Sequence, residues 1–313
     1  MADDEFDRIR ALTRRFHVES DAVQLGIGDD AAVLRAQPHP TVLSVDVAVQ
    51  GIHFEPRFAS YREIGARAFT AAVSDLGAMG STPLAALSSL IVPAALAAAD
   101  FEELNAGLAE AAARYACPVV GGNLSSGSTL SLTTTVVGKL EGPGLYRSGA
   151  RAGDEVYVSG PLGSAALGLR LLQLGAAERG PQFVRAFRAP EARIAQGRQL
   201  AGMATSAVDV SDGALQDLGH ICEASQLGAR IEAARVPLAA GMAELARALG
   251  EDPLRLALQV GDDYEVIYTL PPGTSDPCGG TRIGVMLSAP GAVEVVDERG
   301  DAVGLSGRGY RHF

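Results

Sequence analysis

Gly26-Ile27-Gly28-Asp29-Asp30-Ala31-Ala32-Val33-Leu34 sets two adjacent carboxylates on a glycine-flanked turn, directly before a short apolar run that reads as a strand. Adjacent like charges repel, and glycine lets a backbone approach a ligand closely. A divalent cation bound through oxygen ligands would resolve that repulsion. Working outward, the same device returns. Thr41-Val42-Leu43-Ser44-Val45-Asp46 ends an apolar strand at a carboxylate, and Asp75 lies on the C-terminal part of a small-residue helix over 61–79. Asp209-Val210-Ser211-Asp212-Gly213 closes a short strand, and Asp262-Asp263 stands just before another. One such turn alone is ordinary solvated punctuation, because Asp and Gly favour turns for local reasons. Recurrence at several strand ends points to hard-cation chemistry. Asp75 adds to it, since the C-terminal end of a helix is already negative and is the wrong end for an uncompensated carboxylate.

Between these turns strands and helices alternate as in a mixed α/β fold (α+β in detail). Phe6, Ile9, Leu12 and Phe16 at three- and four-residue spacing predict an amphipathic helix over 5–16. The strand from Thr41 is expected to run on through Gln50 to Phe54. Further strands are expected at 83–92, at 118–120 leading into Gly121-Gly122-Asn123, and at 131–140. A helix over 100–116 would have Asp100 as its N-cap and Glu103 three residues on. Glu141-Gly142-Pro143-Gly144 is the domain boundary, giving α/β domains over 1–144 and 145–313. The second domain reads as a strand at 155–158, then a helix opened by Gly160-Pro161-Leu162-Gly163 whose amides could receive an anion. Helices at 181–188 and 191–202, a strand at 205–210 and a helix at 215–225 follow. Strands near 228–233, 264–270, 281–287 and 293–297, with helices around 240–258, complete it. No internal repeat stands out.

Composition narrows the chemistry. The 313 residues carry a formal net charge of −11, which argues against nucleic acid, whose affinity comes from neutralising phosphates with Lys and Arg. Small phosphorylated ligands stay open, because bound metals invert local charge. Lys139 is the single lysine, and Leu140 follows it. A P-loop, which needs Lys then Ser or Thr, is excluded, and the protein-kinase motif set is missing. Any nucleotide must be held by metals, arginine and backbone amides. No apolar run reaches the length of a membrane span. The acidic start Met1-Ala2-Asp3-Asp4-Glu5 is unlike a signal peptide, and Cys117, Cys222 and Cys278 lack metal-type spacing. A cytoplasmic location is expected.

The ordered motifs resemble the thiamine-monophosphate kinase family, of the superfamily that includes aminoimidazole ribonucleotide synthetase. The resemblance rests on Gly26–Ala31, Gly51-Ile52-His53-Phe54, Ser74-Asp75-Leu76-Gly77-Ala78-Met79-Gly80, Arg147-Ser148-Gly149-Ala150, Asp209–Gly213, Asp263-Tyr264-Glu265 and Gly309-Tyr310-Arg311-His312-Phe313. It spans nearly the whole chain. It implies ATP-dependent phosphorylation of thiamine monophosphate to thiamine diphosphate. It also implies an N-terminal domain that dimerises through its sheet, with the active site in the cleft between the domains. By position, Asp30, Ser44, Val45, Asp46, Asp75, Asn123, Asp209 and Asp212 would hold several Mg2+ ions. Tyr115, Gly122, Asn123, Arg147 and Ser211 would contact ATP, while His53, Asp262 and Tyr310 would line the thiamine-phosphate site. His53 by itself reads as a packed or surface histidine; its place just past Asp46 favours the functional role. Tyr310 would stack on the cationic thiazolium. No catalytic base is expected, because the acceptor is already an ionised phosphate oxygen.

Three departures from the family pattern stand out. Val45 replaces a threonine, so only its carbonyl could serve a metal. Asn123 replaces an aspartate, keeping an oxygen and losing a charge, and Asp262 replaces a glutamate. Competing readings are a cyclo-ligase-type enzyme of the same superfamily and a catalytically silent nucleotide- or metal-binding regulator. A selenophosphate synthetase would need an N-terminal reactive cysteine, whereas the first here is Cys117. A hydrogenase-maturation dehydratase would need a C-terminal one, whereas the chain ends Arg311-His312-Phe313.

Overall fold

The computed structural model of the chain describes residues 5–16, 20–28 and 31–305, and of residues 5–8 the backbone only. It separates into two compact units, Met1–Leu76 with Ser81–Glu141, and Gly77–Gly80 with Gly142–Phe313. The first unit contains α1 (Glu5–Arg15), β1 (Val23–Leu25), β2 (Val33–Leu34), β3 (Thr41–Val49), α2 (Tyr61–Ala78, whose last two residues fall in the second unit), β4 (Thr82–Val92), α3 (Ala98–Arg114), β5 (Val119–Ser126) and β6 (Ser131–Lys139). β1 and β2 form a small hairpin, while the main sheet has the order β3-β6-β4-β5. Only its β4–β5 pair is parallel.

β6 shows why this sheet has two unlike faces. Leu132, Thr134, Val136 and Gly138 are buried, and the residues between them are half-exposed, the period-two signature of a strand covered on one side. α2 packs on the covered side, with Leu76 against Gly138. It begins with a capping box: Ser60 N–H and Oγ reach Glu63 Oε2 at 2.8 and 2.9 Å, and Glu63 N–H donates to Ser60 Oγ at 3.3 Å. α3 crosses α2 backbone to backbone. A Cβ on Gly65 would lie 2.0 Å from Leu104 O, and one on Gly107 1.8 Å from Arg62 O. Arg62 then pairs with Glu103 at 2.7 Å and with Glu110. The opposite face leaves Leu43, Val45 and Val47 of β3 and Leu87 and Ile91 of β4 exposed, Leu43 by 69% and Val45 by 62%.

Two expectations shift here. α3 starts at Ala98 with Ala97 as N-cap, so Asp100 lies in the first turn instead of capping it. β3 stops at Val49, and Gln50–Phe54 fold into a turn closed by Gly51 N–H to Phe54 O at 2.9 Å, with Gly51 at φ +86°.

The second unit contains β7 (Glu155–Val158), α4 (Ser164–Gln173), α5 (Pro181–Arg188), α6 (Ile194–Leu200), β8 (Ser206–Asp209), α7 (Ala214–Ser225), β9 (Gly228–Glu232), α8 (Met242–Ala248), α9 (Pro253–Gln259), β10 (Val266–Leu270), β11 (Thr281–Leu287) and β12 (Val293–Val296). Its sheet runs β12-β9-β11-β7-β10-β8, with β12 alone parallel to its neighbour. Val156, Val158, Val208, Ile267 and Ile283 from the strands pack with Leu218 and Ile221 of α7 in one core. A second core of Leu145, Leu200, Ala207, Val266, Tyr268 and Leu270 lies beside α6. The Gly77–Gly80 segment docks here: a Cβ on Gly197 of α6 would be 1.8 Å from Gly77 O. Among the described residues no helix is long and apolar enough to cross a membrane.

Candidate active site

In the first unit, strand alternation sorts the expected ligands. Ser44 and Asp46 project on the covered face of β3, where Ser44 Oγ donates to Asp75 Oδ2 at the end of α2. That hydroxyl is a partner at the otherwise unfavourable helix end. Asp46 Oδ1 accepts from Val47 N–H at 2.7 Å. In register, Asp46 faces Thr134 and Thr134 faces Ser88. Thr134 Oγ1 and Ser88 Oγ are buried and meet no hydrogen-bond partner among the described residues. This row therefore holds more oxygen donors than the chain itself satisfies. Val45 points to the opposite face, so a hydroxyl at that position would not join Ser44 and Asp46, and its carbonyl is its sole donor. His53 is held by its turn: its N–H donates to Val49 O at 2.9 Å and its Nδ1 accepts from Val49 N–H at 3.1 Å. That acceptor role puts the proton of a neutral ring on Nε2.

The remaining first-unit residues lie along β5 and the end of α3. Tyr115 is the C-cap of α3. Gly122 is required by packing, because a Cβ there would fall 1.8 Å from Ser88 O. Asn123 pairs with Ser89, which aligns through Thr133 with Val47. It thus shares the exposed face, and at ~4.8 Å per strand it stands about 14 Å from β3. Within one chain it does not join Asp46 and Asp75, which the shared metal assignment had suggested. A cavity of about 790 Å3 lies beside the opening motif, lined by Phe16, Gly26, Ile27, Arg35, Pro118 and Val120 among others. Its volume is that of a small-molecule site. Lys139, the single lysine, is paired with Glu141 at 2.9 Å.

In the second unit, β8 delivers Asp209 to the sheet edge, and the Ser211–Gly213 turn follows. Asp217, in the first turn of α7, gathers that turn. Its Oδ2 accepts from Ser211, Asp212 and Gly213 N–H at 3.0, 3.2 and 3.1 Å. Burial, then the charges of Asp209 and Asp212, push its pKa up to about 8. Gln216 Nε2 holds Asp212 Oδ2 at 2.9 Å. The segment preceding β10 is zipped to this turn, with Asp262 N–H to Ser211 O at 3.0 Å and Tyr264 N–H to Val210 O at 2.9 Å. Arg147 is exposed, its carbonyl bound by Ser225 Oγ at 3.2 Å.

Asp217, Arg193 and Ser159 carry no expected role, and Asp263 and Glu265 enter only as members of an acidic turn and a family motif. Asp217 had a signal, an acidic residue in the first turn after Asp-Gly. Asp263 occupies the amides of Gly163 and Ala165 at 2.6 and 3.3 Å, so the α4 N-terminus takes an anion from its own chain in place of a ligand. Burial raises Asp263 to about 8 in spite of those amides. Glu265, 3% exposed, receives Arg193 through Nε at 2.8 Å and NH2 at 2.5 Å, with Ser159 Oγ at 2.5 Å. A buried bidentate pair at a separation of 72 residues leaves no local trace. Asp30 and Tyr310 lie outside the described residues.

The donor chemistry suits Mg2+. Both units offer carboxylate and hydroxyl oxygens, and the Asp209, Asp212 and Asp217 group carries charge that a cation would relieve. Among the described residues no three His, Cys, Asp or Glu side chains form a ready metal site.

The comparisons with known proteins agree with one another. The family model described as AIR synthase related protein, N-terminal domain, matches residues 28–140, and its C-terminal counterpart matches residues 151–272. Thiamine-monophosphate kinase of Escherichia coli K12 is 34% identical over 328 residues, covering 100% of this chain and 99% of the relative. The solved thiamine-monophosphate kinase of Stenotrophomonas maltophilia K279a superposes with a TM-score of 0.83 at 33% identity, over 95% of this chain and 96% of that one. A structure described as AaThiL complexed with AMPPCP and TMP gives 0.82 at 31% identity, over 99% and 97%.

Proposed function

Because the chain belongs to the thiamine-monophosphate kinase family, within the AIR synthase related proteins, we propose that it transfers the γ-phosphoryl group of ATP to thiamine monophosphate. The observation that carries this reading beyond family membership is the turn Asp209–Gly213. There the buried Asp217 carboxyl group gathers three amides behind the strand end that carries Asp209, Ser211 and Asp212. Such a site suits phosphoryl transfer, in which positioning and electrostatic stabilisation do the work. The acceptor oxygen is already ionised, so no side chain needs to remove a proton.

The roles follow from residue chemistry. Ser44, Asp46 and Asp75 with Asp30, and Asp209 with Asp212, would hold Mg2+, which when bound neutralises the charge of two polyanions brought together. Arg147 and Ser211 would orient the phosphates of ATP. His53, fixed through Nδ1, would offer Nε2 to the acceptor phosphate, and Asp262 and Tyr310 keep the acceptor-binding role that the family pattern gives them. The exposed apolar face of β3 and β4 would be covered by a second copy of the chain. Val45→Glu should then shift the mass measured by light scattering from dimer to monomer, and an unchanged mass would refute the sheet-mediated dimer.

The function itself is tested by turnover. Purified protein with ATP, Mg2+ and thiamine monophosphate should release ADP and thiamine diphosphate, and should leave free thiamine and an aminoimidazole ribonucleotide precursor unchanged. Tight ATP binding without turnover would overturn the reading.

A further inference from the structure

The turn that carries Asp262 has a backbone conformation its own residues disfavour. Asp262 at φ +73° and Tyr264 at φ +51° both lie in the left-handed region, which non-glycine side chains occupy only when their surroundings hold them there. Part of the hold is the zipper to Val210 and Ser211, against which Gly261 is pressed so closely that a Cβ would sit 1.7 Å from Ser211 O. Tyr264 adds a bond from its hydroxyl to Asp262 Oδ1 at 3.2 Å.

The other part is Asp263. Its two oxygens accept from Gly163 and Ala165 N–H, about 100 residues earlier in the chain. The helix they open is firmly seated. Leu162 N–H bonds to Pro237 O at 2.9 Å, and Cβ atoms on Gly163 and Gly168 would lie 2.8 Å from Ala257 N and 2.1 Å from Phe183 O. The Asp263 carboxyl group thus ties a turn of unfavourable geometry to a seated helix. Without that tie, residues 262 and 264 can relax to negative φ, and such a change redirects the side chain of Asp262.

We infer that Asp263 is a positioning residue for the acceptor: anchored on the first amides of α4, it keeps Asp262 in the left-handed conformation that presents its carboxylate to thiamine monophosphate. The inference rests on the reading of Asp262 as an acceptor-binding residue.

Steady-state kinetics and thermal melting of Asp262→Asn, Asp263→Asn and Asp263→Ala test both. Asp263→Ala should raise KM for thiamine monophosphate about 10-fold while KM for ATP stays within about 2-fold. Asp263→Asn, which keeps one acceptor oxygen, should recover most of that loss. A KM unchanged in Asp263→Ala, or raised equally for both substrates, overturns the positioning role. An unchanged KM in Asp262→Asn refutes the acceptor reading of Asp262 and the inference with it. Raised KM in Asp262→Asn alone refutes only the anchor. Should Asp263→Ala fail to fold, Asp263→Ser takes its place with the same outcomes.

Discussion

Replacing Asp217 by alanine removes one oxygen that holds three amides, and the consequence can be worked from their environments. Gly213 is buried, Asp212 half-buried and Ser211 exposed. The Gly213 N–H, left without a partner, costs about 1–3 kcal/mol, and the two more accessible amides lose about 0.5–1.5 kcal/mol each before water recovers part of it. Against this stands relief, because the variant no longer buries a carboxyl beside Asp209 and Asp212. The net expectation is a loss of about 3 kcal/mol in unfolding free energy, together with weakened ATP binding because Ser211 and Asp212 are released. Asp217→Asn keeps an acceptor oxygen and should stay within about 1 kcal/mol of the parent. Urea unfolding followed by far-ultraviolet circular dichroism at pH 7 gives the first quantity, and calorimetric titration with ATP and Mg2+ the second. The reasoning fails if the alanine variant is as stable as the parent, or if asparagine is as damaging as alanine.

Asp75→Asn should lower kcat by about 100-fold or more while leaving the melting temperature nearly unchanged, since Ser44 keeps an oxygen to bond; retained turnover would show the metal assignment to be wrong. Arg193→Ala strands the buried Glu265 carboxylate and should cost about 3–5 kcal/mol, read by urea unfolding. The double variant Arg193→Met, Glu265→Leu should recover much of that loss, and equal damage in both would deny the desolvation argument. For pH, Asp263 holds its proton up to about 8 in the folded chain but only to about 3.9 unfolded. Its contribution is therefore fully present below pH ~3.9 and is lost as pH rises through about 8. Asp263→Asn should thus gain stability relative to the parent between pH 5 and pH 8, and a constant difference across that range would contradict the buried-proton account.

Local pattern made much of the fold legible in the chain. The apolar strand from Thr41, the β-rich run from Ser131 and the strand-end carboxylates all depend on neighbours a few residues apart. The capping box Ser60-Tyr61-Arg62-Glu63 is equally local, whereas Asp100 carries a capping pattern that the helix start at Ala98 does not use. Resemblance added candidate roles to residues that chemistry alone left as acidic turns.

Tertiary structure decided which of those residues meet. A carboxylate at position 217 or 263 reads alike in sequence, yet one gathers the Ser211–Gly213 turn and the other seals the start of α4. The amides that Asp217 holds lie only 4 to 6 residues back, whereas those of Asp263 are about 100 residues away and come within reach only by chain packing, and since every residue except proline carries such an amide, sequence cannot single those out. The two faces of the first-unit sheet show the same thing. Alternation places Ser44 and Asp46 apart from Val45, but only the strand order β3-β6-β4-β5 sets Asn123 at the far edge. Side-chain chemistry and local periodicity are properties of the chain; which donor faces which acceptor is set by long-range pairing, because hydrogen bonds act over about 3 Å and that proximity exists only after folding.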